Sequence, residues 1–188
     1  MNIVIFGPPG AGKGTQSKFI AEKFNMYQLS TGDILRKEMS KNTEIGKKIA
    51  SVINTGSLVS DQIVSDMIEK IISNNDYHNK IIFDGYPRNL IQAKNLENLL
   101  KKYKQKISIV LKLSVSLETV KKRISERKSL EKRTDDDKDI AIKRYKTYEN
   151  STEPVIEYYK KSNLLKVIDG ENSIDQINKE ISDIISSI

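Results

Sequence analysis

The sequence predicts an α/β fold of three layers, in which a five-stranded parallel sheet lies between two layers of helices. Short apolar runs alternate along the chain with segments of helical periodicity, and turn residues bound each run. Strands that alternate with helices form parallel sheets that are covered on both faces. The chain contains no internal repeat, low-complexity tract or flexible linker, so its 188 residues are expected to form a single domain.

The elements follow in order along the chain. The apolar runs predict five strands, at residues 2–6, 27–29, 80–83, 106–113 and 164–168. Apolar residues three or four positions apart predict helices between the strands, with the apolar side in the core. These stripes are Ile63, Met67 and Ile71; Leu96, Leu99 and Leu100; Leu117, Val120 and Ile124; and Ile174, Ile177, Ile181, Ile184 and Ile188.

A glycine-rich turn, Gly-Pro-Pro-Gly-Ala-Gly-Lys-Gly-Thr at residues 7–15, follows the first strand and leads into an amphipathic helix at about 13–24. Backbone N–H groups of such a turn and the positive end of the helix dipole converge on one anion. The glycines let the backbone approach the anion, and Lys13 reaches the outer phosphates of a nucleotide. The strand before the turn and the helix after it favour this P-loop over an ordinary turn. The hydroxyl that would serve Mg²⁺ comes from Thr15, because Gly14 follows the lysine.

Two segments interrupt the alternation of strands and helices. Residues 30–59 are too long for a single crossover and are expected to hold two helices, around 34–40 and 43–54, whereas residues 127–137 are polar and charged. Insertions at the carboxyl edge of a parallel sheet commonly form substrate lobes and lids. We therefore expect a helical binding insertion at 30–59 and a short lid at 127–137. The core would then comprise residues 1–29, 60–126 and 138–188.

Composition excludes several classes of protein. The chain has no cysteine, which excludes disulfides and a thiolate zinc site. No apolar run approaches the roughly 18 residues of a membrane-spanning helix, and the N-terminus does not resemble a signal peptide. The net charge of +7 raises the question of a nucleic-acid partner, but the lysines lie beside acidic residues rather than in one block. We expect a cytoplasmic protein that contacts neither membrane nor nucleic acid.

Arginine is scarce in this lysine-rich chain, with six arginines among its 32 basic residues. Only a guanidinium offers the rigid two-point geometry that matches phosphate or carboxylate. The six arginines lie in the two insertions, beside them or after a strand, where they can converge on the mouth of the P-loop. They are Arg36, Arg88, Arg123, Arg127, Arg133 and Arg144.

Asp84 follows the third strand, where P-loop proteins carry an acid that holds Mg²⁺. The alternative role is a carboxylate that caps the next turn. Gly85 and Pro87 shape that turn and bring Arg88 toward the phosphates. The GTPase motifs Asp-x-x-Gly, at this strand end, and Asn-Lys-x-Asp are absent, which favours phosphoryl transfer to a bound acceptor. A phosphate acceptor needs in-line positioning and charge neutralisation but no general base, and the single histidine, His78, is expected at the surface.

These motifs resemble those of the nucleoside monophosphate kinases. The resemblance rests on residues 7–15, 30–36, 56–59, 84–88 and 133–136, with Arg144 eleven positions after Arg133. Within that group the chain is similar to the adenylate kinases, which transfer a phosphoryl group reversibly between Mg·ATP and AMP to give two ADP. The resemblance implies a monomeric enzyme with ATP, AMP and ADP as partners and Mg²⁺ as cofactor, and it implies the short lid, which holds no zinc.

The resemblance also implies a role for individual residues, position by position. ATP would contact Gly10, Ala11, Gly12, Lys13, Gly14, Thr15, Arg127 and, through its backbone, Asn172. AMP would contact Thr31, Arg36, Ser57, Leu58, Val59, Gly85, Tyr86, Pro87, Arg88, Gln92, Arg133 and Arg144. Catalysis would depend on Lys13, Arg88, Arg123, Arg127, Arg133 and Arg144, and Mg²⁺ on Thr15 and Asp84, through water.

Two alternatives to this function stay open. The related UMP/CMP kinases usually carry alanine in place of Thr31 and asparagine in place of Gln92. Both positions therefore favour AMP, because a hydroxyl and a longer amide suit the hydrogen-bonding edge of adenine. A nucleotide- or nucleic-acid-binding module without turnover is the alternative from another class. The lid differs from many short lids of this family, since residues 128–132 contain no glycine.

Overall fold

The structure is a computed structural model that describes residues 1–41, 43–131 and 138–188, with the backbone alone for residues 128–131 and 138. Within these ranges, five strands form one parallel sheet in the spatial order β2-β3-β1-β4-β5. They are β1 (Asn2–Phe6), β2 (Tyr27–Ser30), β3 (Ile81–Asp84), β4 (Ile107–Ser114) and β5 (Leu165–Asp169). Each of the five strands was predicted from the sequence to within one residue at either end.

The described helices are α1 (Lys13–Phe24), α2 (Thr31–Met39), α3 (Glu44–Ile53), α4 (Asp61–Ile72), α5 (Leu90–Lys102), α6 (Leu117–Glu131), α7 (Lys138–Thr147), α8 (Glu153–Lys161) and α9 (Ile174–Ser186). A 3-10 turn at Asn75–Tyr77 and a π-helical turn at Tyr148–Thr152 join neighbouring elements. His78, just after the 3-10 turn, is exposed as expected. No helix of the described part is long and apolar enough to cross a membrane.

Alternate side chains of the strands enter two separate cores, one on each face of the sheet. From β1, Val4 and Phe6 pack into a core with side chains of α4, α5 and α8, whereas Ile3 and Ile5 pack into a second core with α1 and α9. All four side chains are at most 3% exposed. A strand buried on both faces needs apolar residues at every position, which explains the continuous apolar run. The predicted three-layer α/β architecture is confirmed.

The stripes of α5 and α9 enter these cores, whereas Val120 and Ile124 of α6 pack in a third, smaller cluster and Leu117, the first residue of α6, is 37% exposed. Ile174 and Ile188, which are 61% and 65% exposed, occupy the two ends of the C-terminal stripe and lie outside the core. In α4 the most buried residues are Val64, Ile68 and Ile72, and the predicted stripe packs beside them in half-buried positions. The stripe is therefore displaced by one residue from the centre of the buried helix face.

Residues 30–59 contain the two expected helices, but α2 begins three residues earlier than predicted. The Ser30 hydroxyl accepts a hydrogen bond from the Asp33 N–H, which caps the helix directly after β2. At α3, Thr43 caps through the Gly46 N–H. A Cβ on Gly46 would lie 2.6 Å from the Glu38 carbonyl oxygen, so α2 and α3 pack with their backbones in close approach.

The sheet order brings the loops after β1 and β3 to the same edge. In register, Ile5 of β1 and Ser30 of β2 both align with Asp84, the last residue of β3. The strand order reverses beside β1, because β3 lies on one side and β4 on the other. Open parallel sheets bind ligands in the crevice outside the carboxyl ends of the strands at such a point.

Candidate active site

The turn between β1 and α1 has the backbone conformation that the glycines predict. Gly10 and Gly12 adopt φ values of 79° and 91°, a left-handed region that strongly favours glycine. Gly12 is the N-cap of α1, and no side chain of the described residues caps this helix. The first turn of α1 contains no acidic residue either, so the helix end is suited to an anion.

Lys13 lies at the centre of this turn. Its Nζ donates hydrogen bonds to the carbonyl oxygens of Gly7, at 2.7 Å, and Pro8, at 2.9 Å. Burial lowers the pKa of Lys13 to about 8, although the carboxylate of Asp84 acts in the opposite direction. Three guanidinium groups lower this pKa further, namely those of Arg88, Arg144 and Arg127. Positive charge therefore gathers around the P-loop, as the positions of the arginines predict.

Asp84 is 7% exposed at the end of β3. Burial raises the pKa of its carboxyl group, while the charge of Lys13 and a hydrogen bond from Gln28 Nε2 to Oδ2, at 3.2 Å, favour the ionised form. A Cβ on Gly14 would lie 3.7 Å from Asp84 Oδ2. The carboxylate is thus next to the first turn of α1, which also carries the exposed Thr15.

A cleft of about 1040 Å³, counted with its open mouth, lies at the carboxyl edge of the sheet. Its walls come from the P-loop, α2, residues 56–59, the turn after β3 and the π-helical turn. The following residues singled out in the sequence line it: Lys13, Thr31, Arg36, Ser57, Leu58, Val59, Gly85, Pro87, Arg88, Gln92 and Arg144. The fold thus brings together segments that are far apart in the chain.

The wall formed by the turn after β3 is held by hydrogen bonds to one carbonyl oxygen. The Gly85 oxygen accepts from Thr31 Oγ1, at 2.9 Å, and from Arg88 Nε, at 2.7 Å. Thr31 and Gln92 are 4% and 2% exposed, so their polar groups are almost fully withdrawn from solvent. Tyr86 was also expected to contact AMP, but it lies in the core at 1% exposure and does not line the cleft.

Two further predicted residues, the catalytic Arg123 and the ATP contact Asn172, lie at α6 and in the loop after β5. Arg123 donates from one terminal nitrogen to the Gly170 carbonyl oxygen at 2.8 Å, which joins α6 to the loop after β5. A Cβ on Gly10 would lie 3.7 Å from the Cβ of Arg123, so this part of α6 packs against the P-loop. Asn172, two residues beyond Gly170, is exposed. Arg133 lies outside the described residues.

A model of the adenylate kinase family matches residues 5–164. The chain belongs to the adenylate kinase family. It is 42% identical to the adenylate kinase of Pelagibacter ubique over 211 aligned residues, which cover 98% of this chain and 99% of that protein. It is 41% identical over 192 aligned residues to the adenylate kinase of Azobacteroides pseudotrichonymphae, covering 100% of this chain and 98% of the relative. The adenylate kinase of Petrotoga mobilis is 38% identical over 214 aligned residues, with coverage of 100% and 98%.

Three residues that support the site of this adenylate kinase family member were missed by sequence reasoning. Gln28 donates to Asp84, Asp61 accepts from Gln92, and Thr152 Oγ1 donates to the Arg88 carbonyl oxygen at 3.0 Å. Their partners lie 56, 31 and 64 positions away in the chain. Asp61 has a visible local signal, since an acid at the start of a helix suits the dipole, but that signal does not reveal the contact with Gln92.

Proposed function

We propose that this chain catalyses reversible transfer of the terminal phosphoryl group of ATP to AMP, giving two ADP. The observation that carries the proposal is the continuity of the cleft. One cleft is lined by the P-loop, which carries Lys13, and by apolar and polar side chains of α2 and residues 56–59. Arg88 and Arg144 line the same cleft. A donor held at the P-loop and an acceptor held at α2 and residues 56–59 would present their phosphates to these guanidinium groups.

The acceptor needs little activation, because a phosphate oxygen already carries the negative charge of a nucleophile. The protein has to align the two phosphates and to neutralise the charge that builds up between them. Lys13, Arg88, Arg127 and Arg144 would supply that neutralisation, together with Arg123 and Arg133. The Nε of Arg88 donates to the Gly85 oxygen and the side chain lines the cleft, where its guanidinium would contact a bound monophosphate.

The residues beside α1 suit a magnesium ion. Mg²⁺ is usually held by one or two carboxylates together with substrate phosphates and water, and the buried carboxylate of Asp84 lies beside the turn that carries Thr15. Asp84, through water, and the hydroxyl of Thr15 would hold the ion. Mg²⁺ bound there would neutralise charge on the phosphate oxygens. Gln28 would keep one oxygen of Asp84 oriented.

We further propose that residues 30–59 form the AMP-binding insertion and residues 127–137 a short lid over ATP. The Gly56 carbonyl oxygen accepts a bond from Thr147 Oγ1 at 3.4 Å, so the end of the insertion reaches the helix that follows the lid. Alignments to the Pelagibacter and Petrotoga relatives extend over more than the 188 residues of this chain, which supports a shortened segment. Closure of such a lid would exclude water from the phosphates. We propose a cytoplasmic monomer.

The decisive experiment is a comparison of acceptors. The protein is incubated with Mg·ATP and, separately, with AMP, CMP, UMP or GMP, and the diphosphates are quantified. We expect AMP to be phosphorylated preferentially and turnover to cease when EDTA removes Mg²⁺. Preferred turnover of CMP or UMP would identify a pyrimidine nucleotide kinase instead. A complete lack of turnover with bound nucleotide would identify a binding module.

A further inference from the structure

The side-chain amide of Gln92 is held from both ends. Its Nε2 donates to Asp61 Oδ1 at 2.7 Å, and its Oε1 accepts from the backbone N–H of Arg88 at 2.7 Å. The backbone of Gln92 is held as well, because its N–H donates to Asn89 Oδ1 at 2.8 Å. Gln92 lines the cleft at 2% exposure, so water cannot replace these partners freely.

These partners determine which way the amide points. An ionised carboxylate only accepts hydrogen bonds and a backbone N–H only donates. Rotation of the amide by half a turn would place Gln92 Oε1 against Asp61 Oδ1 and its NH₂ group against the Arg88 N–H. Both contacts would then be repulsive. Asp61 Oδ1 also accepts from Asn89 Nδ2 at 3.0 Å, so this oxygen receives two donors.

The Gln92 amide has one further N–H and one further lone pair that can bind a ligand. Because the amide cannot rotate, the positions of this donor and this acceptor in the cleft are fixed. The neighbouring hydroxyl of Thr31 donates to the Gly85 carbonyl oxygen, so toward a ligand it acts as an acceptor. The lining of the same cleft includes Leu35, Val59 and Val64, apolar side chains of the kind that receive a flat aromatic base.

A purine with a 6-amino group and one with a 6-oxo group offer opposite hydrogen-bond patterns. The first has a donor at position 6 and an acceptor at N1, and the second has an acceptor at position 6 and a donor at N1. An amide that is free to rotate pairs with either pattern. An amide of fixed orientation pairs with only one of the two patterns. A purine with the other pattern, bound in the same pose, would place donor against donor and acceptor against acceptor at position 6 and N1.

We infer that Asp61 makes the acceptor site selective for 6-aminopurine over 6-oxopurine monophosphates, because it prevents Gln92 from rotating. Asp61 does not line the cleft and acts through Gln92, so it is a positioning residue. This inference rests on the proposed function and names the residue that enforces its base preference. Asp61 is also the first residue of α4 and accepts a hydrogen bond from Asn89, the N-cap of α5. If its role were only structural, its replacement would lower the stability of the protein without changing the selectivity for the base.

The test compares AMP with IMP, which differs from AMP only at position 6 and N1. In Asp61→Asn the new side chain can accept or donate, so one of the two repulsive contacts of a rotated Gln92 disappears. We expect the ratio of kcat/KM for AMP to that for IMP to fall on the order of tenfold, which corresponds to about 1.4 kcal/mol. The KM for ATP is expected to stay unchanged.

Asn89→Ser is the matched control. Serine keeps the N-cap acceptor for the Gln92 N–H but removes the donor to Asp61, so the AMP-to-IMP ratio should stay at the wild-type value. Equal losses for AMP and IMP in Asp61→Asn, or an equal fall of the ratio in the control, would overturn the inference. If Asp61→Asn does not fold, Asp61→Ser carries the same expectation, since a hydroxyl also accepts or donates.

Calorimetric titration with AMP and with IMP separates this inference from the proposed function. Binding preference needs no turnover. If the wild-type chain binds AMP more tightly than IMP but transfers no phosphoryl group, the proposed function fails while the role of Asp61 is still tested by the ratio of dissociation constants. If transfer occurs and Asp61→Asn keeps the wild-type ratio, the inference alone fails.

Discussion

Replacement of Arg88 by alanine should remove activity while leaving the fold nearly intact, for a reason that the contacts of Arg88 show. The Arg88 Nε donates a hydrogen bond to the Gly85 carbonyl oxygen. The backbone is held independently, by the bond from its N–H to Gln92 Oε1 and by the bond from Thr152 to its carbonyl oxygen. The loss of the bond from Nε corresponds to about 0.5–1.5 kcal/mol of unfolding free energy. For a chain of this size, we expect the Tm to fall by roughly 2–4 °C for each 1 kcal/mol lost.

The effect on catalysis should be far larger than the effect on stability. Arg88 lines the cleft together with Lys13 and Arg144, and the proposed function places the two phosphates among these three side chains. An arginine that stabilises the transition state of phosphoryl transfer contributes on the order of 10³–10⁵ in rate. We therefore expect Arg88→Ala to lose at least about a thousandfold in kcat/KM for AMP. Lysine at this position should recover only part of the loss, because it lacks the two-point geometry of the guanidinium.

The assay follows ADP formation from Mg·ATP and AMP, with thermal unfolding measured on the same samples. Lys94→Ala is a matched control, since Lys94 is an exposed cation on α5, the helix that follows this turn. The control should keep wild-type activity and Tm. Near-normal activity of folded Arg88→Ala would refute the assignment of the scarce arginines to phosphate chemistry. A large fall in both activity and Tm would refute the expectation that Arg88 serves catalysis and contributes little to stability.

Two further predictions concern packing and pH. Gly46→Ala places a Cβ 2.6 Å from the Glu38 carbonyl oxygen, so we expect a loss of about 1–3 kcal/mol of stability and weaker AMP binding; an unchanged Tm in thermal unfolding would contradict this. Hydrogen bonds from the Ser116 N–H and the Thr119 hydroxyl lower the pKa of Glu171 below its ordinary 4.5. Their stabilising effect is therefore fully present above pH 4.5 and is lost as the pH falls through the lower pKa of the folded state. Glu171→Gln should lower the Tm at neutral pH, with a difference that shrinks in acid; an equal difference at both pH values would exclude this linkage.

Much of the fold could be predicted from local sequence patterns. Strands buried on both faces need continuous apolar runs, and the runs around Ile3, Ile82 and Val110 therefore marked their strands to within one residue. The start of α2 was placed too late, because the prediction relied on apolar periodicity. The element begins instead where Ser30 supplies a cap, a signal that lies in a single polar residue rather than in a repeating pattern.

The candidate site could be predicted in part, for a different reason. The P-loop and the turn after β3 depend on residues that are adjacent in sequence, so their motifs are visible without a structure. The orientation of Gln92 depends on Asp61, and that of Asp84 depends on Gln28. These pairs meet only because β2 and β3 are neighbours in the sheet and α4 packs against α5. No local sequence pattern predicts these long-range contacts.

The sequence by itself determined the alternation of strands and helices, the phosphate-binding turn and the positions of the arginines along the chain. These features follow from short-range constraints of backbone geometry, burial and charge. The tertiary structure alone decided which arginines surround Lys13, which polar groups hold Asp84, and which way the amide of Gln92 points. Each of these depends on at least one contact between residues separated by dozens of positions. Such distances are set by the order of the strands in the sheet and by the packing of the helices on it.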